Sequence, residues 1–255
     1  MQLLSSVSKA LSLLDAFTLE QPELSLAQIA QRAGIHKSSA FRLLATLEAQ
    51  GFVERGPAGR GYRLGWKLGE LAGRLLARYE LRELAAPYME QLARASGEIV
   101  HLSLLDGAEI VYLEKKGRSQ PLTVSTTVGG RSPAHASAMG KVLLAGLAEG
   151  EMRRALRGVR LERFTPTTIT DRRRLASELS AIRRQGYALD DEETFPGIRC
   201  VAAPLRDRKG RTVAALSVTA PTQRMGARRQ AEIRQWVTDT AARISERIRA
   251  DGIAD

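Results

Sequence analysis

Two helical stretches meet across one glycine and a very short turn, and that junction constrains the chain more than any other feature. Ser25 stands three residues before Gln28, the spacing of a capping box, and opens a predicted helix over 26–33. Gly34 closes it, because glycine takes the left-handed C-cap conformation without steric cost. A further helix runs over about 37–50, with Ala40, Leu43, Leu44 and Leu47 on its inward face and Gly51 as its stop. Residues 52–55 and 62–64 pattern as short strands around the glycine-rich turn 56–61. Upstream, Val7, Ala10, Leu11, Leu14 and Phe17 share one helical face, and the segment around Pro22 ends that helix. Helix, helix, tight turn, helix and hairpin is the order of a winged helix-turn-helix.

Such a domain reads a DNA groove with the helix that follows the turn. Here that helix offers short hydrogen-bonding groups for base edges, Ser38 and Ser39, and cations for phosphates, Lys37 and Arg42. Phe41 suits a thymine methyl, and Thr46 shares the outer face. Ser25 before the preceding helix and Arg60 in the hairpin turn complete the candidate DNA-binding set. Bulk charge does not point to this region. The net charge is +11, yet residues 1–80 carry a balance of only +3, while residues 151–184, with ten arginines, carry +6. An arginine run of that kind is expected to be a solvated helix face.

From Trp66 the rhythm changes. Leu68, Leu71, Ala72, Leu75, Leu76 and Tyr79 form an apolar stripe, which belongs either to a core helix or to a linker packed against a second copy of itself. Pro87 is expected to punctuate the chain, with 88–95 helical beyond it. Residues 99–105 and 110–114 are expected as a hairpin around Asp106-Gly107, followed by a strand over 122–128. Helices over 136–146, 149–156 and 172–185, strands over 200–205 and 213–219, and an amphipathic helix over 228–249 complete the pattern. The fold class is α+β, with one antiparallel sheet flanked by helices, not a doubly wound parallel sheet.

The length of 255 residues suits one large domain or two modest ones, and even the smaller of two could bury a core. The single cysteine, Cys200, excludes an internal disulfide framework and a cysteine-based zinc site. With only three histidines besides, neither a metal nor a cofactor is expected. No apolar stretch approaches the roughly 18 residues of a membrane span. The N-terminal stretch patterns as an amphipathic helix, so a cytoplasmic protein with no membrane partner is expected.

The segment 38–51 (SSAFRLLATLEAQG), with Phe52-Val53 and Tyr62-Arg63-Leu64-Gly65, resembles the DNA-binding domain of the IclR family of bacterial transcriptional regulators. His101-Leu102-Ser103, the segments 133–141 (PAHASAMGK), 186–193 (GYALDDEE) and 197–204 (GIRCVAAP), and the strand 214–219 are similar to that family's C-terminal domain. The likeness runs over essentially the whole chain, in order. It implies a winged helix-turn-helix domain over 1–66, a linker helix over 67–80 and a GAF-like effector-binding domain over 81–255, assembled as a homodimer or a dimer of dimers. Small acidic effectors in the family sit against the helix after Pro133 and the central strands. Carried over, that places Ala138, Met139, Asp190, Cys200, Ser217 and Thr219 at the effector. Ala134 stands where a larger aliphatic is usual and Met139 is bulky for its turn, so the cavity is expected to have its own shape.

The residues are coherent with an anion site on their own terms. Ser217 and Thr219, two apart on a strand, point to one face, and Asp190 enters the same sheet. Backbone N–H groups at the start of the helix after Pro133 attract negative charge without a cation. Asp190 repels a lone carboxylate, so the expected effector is a carboxylate or aromatic acid that also carries a donor group. Nothing places a base beside Cys200, and Gly140-Lys141 lacks the following Ser/Thr of a phosphate loop, so no catalytic residue is expected. The expectation is a ligand-responsive DNA-binding regulator, not an enzyme, acting on a pseudo-palindromic double-stranded operator. The alternative is a winged-helix protein whose C-terminal domain is enzymatic or partner-binding and does not gate DNA binding.

Overall fold

In the computed structural model, which describes residues 3–57, 59, 61–76, 80–117 and 126–253, the capping box forms as its spacing predicts. Helix α1 (Ser5–Leu14) and the short strand β1 (Glu23–Leu24) lead into α2 (Leu26–Arg32). The Ser25 hydroxyl accepts from the Gln28 N–H at 3.4 Å, and Gln28 Oε1 accepts from the Ser25 N–H at 2.9 Å. Gly34, at φ +64°, turns the chain into α3 (Lys37–Ala49). Strands β2 (Val53–Arg55) and β3 (Tyr62–Leu64) pair antiparallel, and β1 adds to β3 as a third strand that the sequence did not announce. The core of this unit is Leu13, Leu24, Ile29, Ala40, Leu44, Val53 and Tyr62.

Helix α1 departs from its expected face. It buries Leu13 and leaves Val7 and Leu11 half in solvent, at 52% and 56% exposure, because only its last turn reaches the core. Helix α4 (Trp66–Leu76) carries the apolar stripe, of which Leu71, Ala72 and Leu75 are exposed and Leu68 is half-buried; Trp66 at the helix start is 86% exposed. Tyr79 and the side chain of Leu76 lie outside the described residues.

The chain divides into units of residues Met1–Arg78 and Tyr79–Asp255. The second begins with α5 (Glu80–Ser96), which runs straight through Pro87. The ring removes one helical hydrogen bond, a loss of about 3 kcal/mol. Buried Leu81 and Ala85 before it and Met89 and Leu92 after it hold the helix together by tertiary packing. Strands β4 (Ile99–Asp106) and β5 (Glu109–Lys116) make the expected hairpin. Of the strand expected over 122–128, residues 122–125 lie outside the described residues and 126–128 are loop and turn; among the described residues, β5 pairs on its other edge with β6 (Arg131–Pro133). Helix α6 (Ala138–Gly146) starts two residues later than expected, because Ser137 caps it by accepting from the Gly140 N–H at 3.1 Å. Then come α7 (Glu149–Ala155), α8 (Arg172–Gln185), β7 (Ala188–Asp191), β8 (Ile198–Arg206), β9 (Thr212–Pro221) and α9 (Ala227–Asp251).

Among the described residues, strands β4 to β9 form one antiparallel sheet in the order β6-β5-β4-β9-β8-β7. Helices α5 and α9 pack on each other and on the sheet, while α6 lies across β7, β8 and β9 with α8 behind it. Gly140 permits this packing, since a Cβ there would overlap the Ala134 backbone. The arginine run is partly solvated and partly structural. Arg172 donates to the carbonyls of Leu156 and Val159, and Arg183 to those of Ala145 and Leu147, so these side chains clip loop ends. Among the described residues, no helix is long and apolar enough to cross a membrane.

Candidate DNA-reading face and ligand cavity

Helix α3 buries Ala40 and Leu44, and that fixes which residues face outward. Lys37, Ser38, Ser39, Phe41, Arg42 and Thr46 are all exposed, with Phe41 at 50% despite its apolar ring. An uncovered phenylalanine between two cations fits a surface made to meet another molecule. The Ser38 hydroxyl is oriented by His36 Nδ1 at 2.8 Å. Ser25 has a different occupation: its hydroxyl and its backbone N–H are both engaged with Gln28 in the cap of α2. Arg60 lies outside the described residues. At the base of the hairpin, Arg55 stacks on Tyr62 with its guanidinium 4.1 Å from the ring centre and pairs with Glu48 of α3 at 3.2 Å. That ties the wing to the reading helix.

The second unit assembles a cavity by strand register. Asp190 of β7 stands opposite Cys200 of β8, which stands opposite Thr219 of β9. Two residues along, on the same face, Ser217 of β9 lies opposite His101 of β4. The start of α6 closes over these two rows with Ala138 and Met139, and the Met139 sulfur accepts from the Ser103 hydroxyl at 3.2 Å. All six residues expected at the effector therefore line one cavity. Its free volume is only about 30 Å³. A ligand must displace lining groups to enter, and half-exposed Phe195 stands among those groups.

The lining is polar but fixed. His101 Nε2 pairs with the Thr126 hydroxyl at 2.7 Å, and Cys200 Sγ with the Thr219 hydroxyl at 3.2 Å. Burial, with Lys115 nearby, pulls the His101 imidazole down to about 3, so it is neutral at physiological pH. Burial and the Asp190 carboxylate push the Cys200 thiol upward, which makes it a poor nucleophile. Asp190 accepts from the Glu193 N–H at 2.7 Å and the Thr194 hydroxyl at 3.3 Å. Burial outweighs these bonds and raises its carboxyl to about 7. The Ser217 hydroxyl oxygen is fully buried with no hydrogen-bond partner among the described residues. Thr126, Ser132, Thr194 and Phe195 also line the cavity and were not singled out from the sequence. Behind Asp190, Lys141 is 1% exposed and pairs with Glu193 and, at 3.5 Å, with Glu178.

A helix-turn-helix with a wing, joined to a sheet-and-helix domain holding a buried polar cavity, defines a ligand-sensing DNA-binding regulator. Residues 6–57 match the family described as the IclR helix-turn-helix domain, and residues 73–246 match the one described as bacterial transcriptional regulator IclR C-terminal. The chain is 37% identical to the HTH-type transcriptional regulator XynR of Escherichia coli, over 96% of this chain and 97% of that one. Its structure resembles an IclR homolog of Microbacterium hydrocarbonoxydans complexed with 4-hydroxybenzoate, with a TM-score of 0.83 and 30% identity over 96% of this chain and 100% of that one. It also resembles Thermotoga maritima IclR, with a TM-score of 0.78 and 32% identity over 95% and 98% of the two chains. The protein belongs to the IclR family of transcriptional regulators, with a helix-turn-helix DNA-binding domain and a C-terminal effector-binding domain.

Proposed function

We propose that the protein is a cytoplasmic regulator whose C-terminal cavity senses a small carboxylate or aromatic acid and thereby changes operator binding. The observation that carries this reading is Ser217, whose buried, unpartnered hydroxyl shares a cavity with the other five candidate residues. The N–H groups of Ala138 and Met139 at the start of α6 have no acceptor among the described residues and supply a partial positive charge there. The ligand complex of the Microbacterium relative makes an aromatic acid a reasonable first probe. DNA is read by Lys37, Ser38, Ser39, Phe41, Arg42 and Thr46, with residues 1–66 as the reading domain, 67–80 as linker and 81–255 as sensor.

The exposed part of the stripe on α4 supports assembly as a homodimer or a dimer of dimers, through pairing of that helix. Two reading helices then require a pseudo-palindromic operator with half-sites about one helical turn apart, or a multiple of it. Duplexes selected by the protein from a random pool are expected to carry two such half-sites. Selection of a single half-site overturns the dimer. Leu71→Lys with Leu75→Lys is expected to stay soluble and lose binding to the two-half-site duplex. For the cavity, Ser217→Val with Thr219→Val should abolish the response of operator binding to whichever acids alter it in the unmutated protein. An unchanged response places the ligand elsewhere.

A further inference from the structure

The cavity has an electrostatic problem that its lining does not solve by ion pairing. Among the described residues, no lysine or arginine lines it. Two ammonium groups beside its lining residues are committed elsewhere: Lys141 to Glu193 and Glu178, and Lys115 to the Thr126 carbonyl at 3.1 Å. An acid entering beside Asp190 thus brings a second carboxylate into a closed, poorly hydrated space. Two carboxylates at such range cannot both stay ionised without a cation between them. The α6 N–H groups and the Ser217 hydroxyl can hold one negative charge, not two.

We propose that the cavity takes its carboxylate together with one proton, shared between Asp190 and the ligand acid group. This rests on the reading of the cavity as an acid site. No bond between heavy atoms forms or breaks; the proton, given up by solvent or buffer, makes one O–H bond on either carboxylate of the pair. Well above pH 7 close to one proton leaves solvent per ligand bound, near neutrality about half of one on average, and the Asp190–ligand pair retains a single negative charge.

The groups around Asp190 leave it as the titrating one. On β8 the Cys200 thiol is pushed upward and stays protonated. Tyr112 on β5 is likewise raised by burial, and His101 on β4 is held neutral. Lys141 on α6 favours the Asp190 anion, Glu193 opposes it, and Glu178 of α8 shares the lysine with Glu193. Asp191 and Arg199 lie one residue out of phase, on the other side of the strands, and pair with each other at 2.5 Å. Asp190 at about 7 is then half protonated near neutrality before any ligand arrives.

The test uses the full chain and a panel of glyoxylate, pyruvate, benzoate and 4-hydroxybenzoate, titrated calorimetrically. For those that bind, the Kd should rise about tenfold per pH unit above pH 7.5, the slope of one linked proton. At pH 8, buffers of different ionisation enthalpy should report close to one proton taken up. Asp190→Asn should bind the same acid with no such slope. A flat profile in the unmutated protein, or a slope that survives in the variant, overturns the proposal while leaving the acid site standing. No binding by any of the four at pH 6.5 overturns the acid site and the proposal together. A ligand-free measurement keeps the claim open to refutation should the variant bind nothing. Because the folded carboxyl lies above its unfolded value, its contribution to stability is complete below about pH 4 and is lost as pH rises through about 7. The unmutated protein should therefore lose Tm relative to Asp190→Asn between pH 5 and pH 8. An unchanged difference places Asp190 in its ordinary range and overturns the proposal.

Discussion

The first unit presents its candidate recognition groups in solvent, while the second buries them. On α3, Lys37, Ser38, Phe41 and Arg42 stand outward on the helix, with Ser38 also held by the His36 ring. In the cavity, Asp190, Ser217 and Thr219 are each below 7% exposure and are held by pairing across neighbouring strands. An exposed reading surface can change without disturbing what holds it. A buried one shares its atoms with the core. Stability and recognition are therefore separable in the first unit and entangled in the second.

The largest expected effect probes the buried side. Lys141→Met leaves Glu193 with a buried, uncompensated carboxylate and should lower stability by about 3–5 kcal/mol in urea unfolding. Adding Glu193→Leu should recover most of that loss, since the second change removes the stranded charge. A loss below about 1 kcal/mol for the single variant would break the contrast between the units. Next comes a pair of glycines. Gly140→Ala drives a methyl into the Ala134 backbone and should cost about 3 kcal/mol or more. Gly34→Ala meets nothing within 4 Å and carries only the strain of its positive φ, roughly 1–2 kcal/mol.

The smallest effects on folding belong to the reading face. Arg42→Ala and Lys37→Ala should each change stability by less than about 0.5 kcal/mol. Each should also weaken binding on all duplexes and flatten the salt dependence by about one counterion. Ser38→Ala should instead relax the preference at one base position, at roughly 1–3 kcal/mol of discrimination. Gel shifts at several salt concentrations separate the two behaviours.

The same division governs what could be read from the sequence. The Ser25 cap, the Gly34 turn and the two hairpins are local, and they formed where the spacing placed them. What escaped depended on distant partners. Strand β7 is four residues ending in two aspartates, and nothing in Ala188–Asp191 marks a strand until β8 lies beside it. Helix α5 ignores Pro87 because a buried face on both sides of the ring outweighs the lost hydrogen bond. The outward turn of Val7 and Leu11 follows from where α1 meets the core, which periodicity does not state. In the cavity, Ser217, Thr219 and Asp190 were legible through alternation and resemblance. Thr194 and Phe195 were not, since they reach the site from the loop after β7.

The register that sets Ser217 beside His101 also orders events in time. A ribosome adds roughly 5–20 residues per second. The three-stranded sheet of the winged unit is complete at Leu64, whereas the cavity has no floor until β9 has been made through Thr219. On the order of ten seconds of synthesis, or more, separates the two. Through that interval the nascent chain carries a finished reading head and no sensor, and strands β4 and β5 wait with the β4 edge open for a neighbour not yet translated.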